Sequence, residues 1–89
     1  MVLGVAKFNA SPVNGTAPLK VMFTDQSTGF PTYFNYNFGD GINATGPNPV
    51  HIYRFPGVYN VTLSILKFDR GSGSTLSNTS VQTDLIRVN

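Results

Sequence analysis

The sequence predicts an all-β fold of two packed antiparallel sheets, and three observations carry that expectation. Apolar and polar residues alternate with a period of two along five separate stretches, the signature of strands with one buried face. Clusters of Gly, Pro, Asn, Asp and Ser separate those stretches, and such residues favour turns for distinct conformational reasons. No segment keeps a 3.6-residue apolar repeat for even two turns. About seven short strands in 89 residues can bury their apolar faces only by facing one another across one core.

The elements follow in order. Val5 to Phe8 is a first short strand, with Ala6 and Phe8 facing inward and Lys7 outward. Pro12 and Asn14-Gly15 break it, because Pro lacks a donor and Asn-Gly favours positive φ. Leu19, Val21 and Phe23 then alternate with Lys20, Met22 and Thr24 in a half-buried strand. Asp25 to Gly29 turns the chain into Phe34, Tyr36 and Phe38, which alternate with Asn35 and Asn37. After Gly39-Asp40-Gly41, residues 42–49 read as a loop or a weak edge strand, and Val50 to Tyr53 as another short strand. Tyr59, Val61, Leu63 and Ile65 form the clearest strand, which leaves Asn60, Thr62 and Ser64 as a polar row on its other face. Lys67 to Ser77, around a Gly-Ser-Gly segment, reads as a mobile hairpin loop. Ser80 to Val88 closes the fold, with Ile86 and Val88 inward.

Residues 1–89 are expected to form one domain, since chains of this length support a single core. Hydrophobic content is 40%, including seven Phe and four Tyr, enough for a packed interior without metal or disulfide staples. Charged residues make up 11% and there is no Glu, well below the ~25% usual for soluble domains. The isoelectric point of 9.2 reflects a formal net charge of only +2. Its six cations are scattered rather than grouped in a stripe that could track phosphates, so nucleic acid is not an expected partner. No apolar segment approaches the ~20 residues of a membrane-spanning helix. Signal-peptide features are missing, and the segment is expected to be a domain excised from a longer chain. Without cysteine, thiolate catalysis, Cys-ligated zinc and disulfides are excluded. Five N-x-S/T acceptors, at Asn9, Asn14, Asn43, Asn60 and Asn78, are candidate glycosylation sites and favour an extracellular, cell-surface setting.

The chemistry-bearing residues are few. His51 is the sole histidine and there are four Asp. A two-carboxylate hydrolytic pair, which needs facing groups about 5–10 Å apart, is therefore poorly provided for. Calcium takes six to eight oxygen ligands, and no run of carboxylates supplies them. Asp25 and Asp40 end strands and are read as turn caps. Ser residues lack a partnered histidine base. No catalytic residue, cofactor or metal is expected, and the chain is not read as an enzyme. Phe30, Tyr33, Phe55 and Phe68 fall outside the inward registers. Phe55 and Phe68 are expected to close the ends of the sandwich. Phe30 and Tyr33, which flank Pro31, are the candidate ligand contacts, because sugar rings stack on flat aromatic faces.

Several motifs together resemble the PKD (polycystic kidney disease) repeat, an immunoglobulin-like β-sandwich. Asn14 to Leu19 with Val21 and Phe23 is similar to the family's Gly-x-Ala-Pro-Leu opening. Tyr36, Phe38, Gly39, Asp40 and Gly41 resemble its most specific motif, with Tyr36 where the family usually has Trp. His51 with Tyr53, and then Pro56, Gly57 and Tyr59 running into Val61 to Leu63, resemble the later signature. The resemblance implies that His51 ties a sheet to the turn, that Tyr36 is the central core aromatic, and that Tyr59 makes a tyrosine corner. It also implies a non-catalytic interaction or spacer module of an archaeal or bacterial cell-surface or surface-layer protein. Such a module would mediate adhesion through neighbouring domains, other surface proteins or glycans, with the isolated domain monomeric. The alternative is a substrate-binding accessory domain of a secreted chitinase- or collagenase-like hydrolase.

Overall fold

Eight strands build two facing sheets in a computed structural model that describes residues 5–29, 31–71 and 73–89. They are β1 (Phe8–Ser11), β2 (Asn14–Gly15), β3 (Leu19–Asp25), β4 (Tyr33–Asn37), β5 (Asn43–Thr45), β6 (Val50–Tyr53), β7 (Gly57–Asp69) and β8 (Ser74–Val88). One sheet has the order β1-β3-β6 and the other β2-β8-β7-β4-β5. Every ladder is antiparallel except the short pairing of Asn14 and Gly15 with Arg87 and Val88. That pair, absent from the expectation, and the edge strand β5 take the strand count past seven.

The period-two reading places the core correctly. Val21, Phe23, Tyr36, Phe38, Tyr53, Val61, Leu63 and Ile86 are buried between the sheets. Phe8 meets Tyr36 edge-on at 5.6 Å, and Phe23 lies 4.9 Å from Phe38. Burying one such ring contributes about 2–3 kcal/mol. Ala6 and Phe8 face inward as expected, although the strand itself is shifted to Phe8–Ser11.

Two segments differ from the sequence reading. Much of the expected 67–77 loop is paired strand: Leu66 pairs with Ser77, Lys67 with Leu76, Phe68 with Thr75 and Asp69 with Ser74. The Gly-Ser-Gly cluster marks a reversal but not its width, and the Ser and Thr beside it are compatible with a strand. The other difference lies in β8, whose register puts Asn78, Ser80 and Gln82 on the core-facing side, opposite Ile65, Leu63 and Val61. There they close one side of the sandwich. Asn78 Oδ1 accepts from the Ala6 N–H at 2.8 Å, and Gln82 Nε2 donates to the Phe8 carbonyl at 3.0 Å.

The sandwich measures 48 × 17 × 17 Å. Val5 N–H reaches Thr28 at the end that carries the β7–β8 reversal, whereas Asn89 bonds to Gly15 and Ala17 at the opposite end. Among the described residues no helix is long and apolar enough to cross a membrane.

Candidate functional site

The turn after β4 is fixed by short polar side chains bonding to nearby backbone, the usual role of Asn and Asp in turns. Asn37 Oδ1 accepts from the Gly39 N–H at 2.9 Å, and Asp40 Oδ1 from the Ile42 N–H at 3.2 Å. Gly39 has φ +83°, and a Cβ there would collide with the Asn60 carbonyl oxygen of β7. Only glycine fits that approach. Gly41 also has positive φ, +91°, but faces open space.

Asp40 also reaches across to β6, where its Oδ2 lies 2.6 Å from His51 Nε2. The contact joins β6 to the turn. The imidazole stacks on Phe38 at 4.2 Å with its plane only 6° off parallel, and meets the edge of Tyr53 at 4.6 Å. Tyr53 donates its hydroxyl to the Phe38 carbonyl at 2.9 Å and packs 4.6 Å from Tyr59. Tyr59 in turn donates to the Phe55 carbonyl at 2.6 Å. This is the tyrosine-corner bond, a hydroxyl returned to backbone a few residues upstream, with buried Val61 in place of the usual cysteine. Pro56 and Gly57 lead directly into β7. Burial, followed by the nearby Asp40 charge and then Tyr59, pushes the Tyr53 phenol above its ordinary range. Tyr36 is raised in the same way by burial and then by Asp25, and its hydroxyl donates to the Pro47 carbonyl at 3.0 Å. Each of these hydroxyls and carboxylates bonds to backbone, and Asp40 also holds the imidazole. The Asp–His pair has the form of an acid–base couple, but its ring is buried between the rings of Phe38 and Tyr53. Among the described residues no three His, Cys, Asp or Glu side chains gather into a metal-binding group.

The candidate contacts separate. Tyr33 opens β4 on the outer face of the five-stranded sheet and is 43% exposed; Phe30 lies outside the described residues. Phe55 and Phe68 do not close the sandwich ends, being 73% and 53% exposed. Tyr53, Tyr59 and Phe38 already fill one end, and Phe68 sits on the ribbon beyond Leu66, the partner of Tyr33 at the start of β4. Of the glycosylation candidates, Asn9, Asn14, Asn43 and Asn60 are exposed. Asn60 sits at an irregularity between β7 and β8, where its side chain accepts the Asp84 N–H at 2.8 Å, and so departs from the simple row with Thr62 and Ser64. Asn78 is half-buried against Ala6.

Around Tyr33 the register builds a surface that the linear sequence shows only in part. Asn43, Asn37, Thr62 and Val81 form one cross-strand row, and Thr45, Asn35, Ser64 and Thr79 the next. Tyr33, Leu66 and Ser77 follow. No charged side chain stands in these three rows. The period of each strand was legible, but the alignment of four strands was not.

A family model described as the PKD domain matches residues 5–84. This chain belongs to the PKD domain family. Its immunoglobulin-like sandwich is shared with a solved structure described as the structural basis for the promiscuous specificity of carbohydrate-binding modules from the β-sandwich superfamily. The match has a TM-score of 0.74 and 28% identity, and covers 99% of this chain and 35% of that one. A solution NMR structure from Methanosarcina mazei matches with a TM-score of 0.66 and 29% identity, over 100% of this chain and 56% of the other. The PKD domain thus spans about a third and about half of these two chains. Family and neighbour both fit a non-catalytic binding or spacer module.

Proposed function

We propose that this PKD domain is a non-catalytic interaction and spacer module of an extracellular surface protein, making weak contacts with surface proteins or glycans. The observation that carries the reading is the uncharged outer face of the five-stranded sheet, mostly amides and hydroxyls with Val81 and Leu66 among them, bounded by exposed Tyr33. Such a face offers hydrogen bonds and one stacking ring without long-range steering, which suits contacts that gain strength by repetition along an array. The elongated shape, with Val5 and Asn89 near opposite ends, supports the spacer role. Glycans at exposed Asn9 or Asn14 would leave that face open, whereas one at Asn43, which stands in its first row, would cover part of it. The isolated domain is a monomer in this reading, and nucleic acid is not a partner.

The second reading, an accessory binding domain of a secreted hydrolase, is favoured by one specific likeness. The chain matches 35% of a protein described by its carbohydrate-binding modules. Titrating chitin and other polysaccharide fragments while following amide NMR shifts tests the two. The spacer reading expects shifts near Tyr33, Asn35 and Ser64 no tighter than about millimolar, roughly 4 kcal/mol of binding free energy. Saturable micromolar shifts around Tyr33 would overturn it in favour of the accessory domain.

A further inference from the structure

The outer face of the three-stranded sheet has the opposite chemistry. Met22, Val50 and Ile52 all point outward and are 59%, 51% and 43% exposed, with Met22 directly across from Val50 in the register. Ile52 continues into a cleft of about 90 Å³ that Ile42, Phe55, Tyr59, Arg54 and Asp40 also line. Ile42 and Phe55 are exposed as well. Scattered apolar residues on a surface need no explanation, but a contiguous strip marks a place of contact.

The strip coincides with a sheet edge, because β6 is the last strand of its sheet. The Phe23 N–H donates to the Pro49 carbonyl at 3.0 Å. Bonded and non-bonded pairs alternate along an antiparallel ladder, so the backbone groups of His51 and Tyr53 turn toward β3. Those of Val50 and Ile52 turn out from the edge. The outward backbone groups and the exposed apolar side chains therefore belong to the same two residues. Other edges are blunted, as sheet edges commonly are. Asn78 and Gln82 bond the outward groups of Ala6 and Phe8 beside β1, β2 is two residues long, and β5 carries polar Asn43 and Thr45. Within β6 there is no Lys, Arg, Asp, Glu or Pro.

Cations flank the strip. Lys20 is the cross-strand partner of Ile52, and Arg54 lines the cleft two residues beyond it. The one carboxylate there, Asp40, is already held by His51 and the Ile42 N–H.

We propose that β6 is a strand-addition site for an extended segment of another protein. The segment pairs with the backbone of Val50 and Ile52, and lays alternate apolar side chains along Met22, Val50 and Ile52 and into the cleft beside Ile42 and Phe55. It carries Asp or Glu against Lys20 and Arg54. Backbone bonds supply affinity in this mode, and alternate side chains supply selectivity. The proposal deepens the interaction-module reading but uses the other face of the sandwich from Tyr33. A negative glycan titration therefore leaves it standing, and its own failure leaves the glycan face untouched.

A displayed library of random nine-residue linear peptides tests it, selected on the wild-type domain and counter-selected on Ile52→Lys. The expected result is enrichment of alternating apolar residues with Asp or Glu, and NMR shifts confined to Met22, Ile42, Val50–Arg54 and Phe55. Placing proline at alternate positions of a selected peptide should cost at least about tenfold in affinity by removing its donors. Arg54→Glu should weaken acidic peptides by about tenfold and admit basic ones, as expected for complementary charge. Circular dichroism of both variants confirms that the sandwich is intact. The proposal is overturned by an absence of enrichment, by selected peptides that bind Ile52→Lys equally well, or by shifts centred elsewhere. Concentration-dependent self-association lost in Ile52→Lys would also overturn it, because the edge would then belong to a second copy.

Discussion

The turn end of the sandwich and the ribbon beyond Leu66 are both made of strands and aromatic residues, yet they are held in different ways. At the turn end, Phe38, His51, Tyr53 and Tyr59 touch ring to ring in sequence, and each hydroxyl or carboxylate in the group bonds to backbone or to the imidazole. On the ribbon, β7 and β8 continue past the last partner of β4, so Phe68 and Thr75 have a ladder on one side only. Two strands alone are marginal in water, whereas packing against a second sheet stabilises them. Stability in this fold is therefore expected to be concentrated at the turn end. It follows side chains that cross between sheets more than the length of paired backbone.

The strongest way to break the turn end is to remove its central ring. Tyr53→Ala should lose about 3–5 kcal/mol in denaturant titration, as expected for an aromatic truncated in a core that cannot collapse around the gap. A loss below about 1 kcal/mol would mean that the stack contributes little beyond the backbone ladder. The same ring sets a pH dependence. Burial raises both the Tyr53 and Tyr36 phenols, so the folded protein holds these protons more tightly than the unfolded chain does. Their contribution is complete below the ordinary tyrosine value of about 10 and declines as pH rises above it. Tyr53→Phe should flatten that alkaline decline, and an unchanged decline would assign it to other groups.

Gly39→Ala comes next, at about 2–4 kcal/mol, because it combines a left-handed backbone with a collision against β7. Asp40→Ala should cost about 1–2 kcal/mol by freeing the Ile42 N–H and leaving His51 without its acceptor. Melting temperature with and without calcium sharpens this second test. A large rise on adding calcium in the wild type, absent from the Asp40 variant, would make the turn a metal site instead of a structural tie.

Much of this contrast was legible in the sequence, for a physical reason. The buried faces of β3, β4 and β7 repeat every second residue, and Gly39-Asp40-Gly41 fixes a turn by local sterics, so short-range pattern sufficed. The Asp40–His51 tie and the Tyr59 corner came from the family motif, since eleven residues separate the first pair and spacing alone does not bring them together. The inward Asn78 and Gln82 were missed because polar residues on a strand read as solvent-facing until the partner edge they satisfy is known. The Met22–Val50–Ile52 strip was missed for the converse reason. Met22 stood at an outward position of one strand and Val50 and Ile52 on another, and only the β3–β6 register brings Met22 beside them.

The smallest expected effect is at the ribbon. Phe68 projects from the outer side of β7 opposite Thr75, more than half exposed, while Lys67 and Leu76 take the inner side beside Thr28, Gly29 and Pro31. Truncating Phe68 therefore removes little buried area and opens no enclosed cavity. Phe68→Ala should change stability by no more than about 0.5 kcal/mol, in the range of surface substitutions. Amide hydrogen exchange gives the same contrast residue by residue. Amides of Lys67, Phe68 and Thr75 should exchange through local opening at a small free energy, whereas those of Val61 and Leu63 should approach the global value. If Phe68→Ala instead cost as much as Tyr53→Ala, or if the ribbon amides were as protected as the core, two-stranded pairing would be holding itself together. Paired backbone, and not the side chains that cross between sheets, would then set the stability of this sandwich.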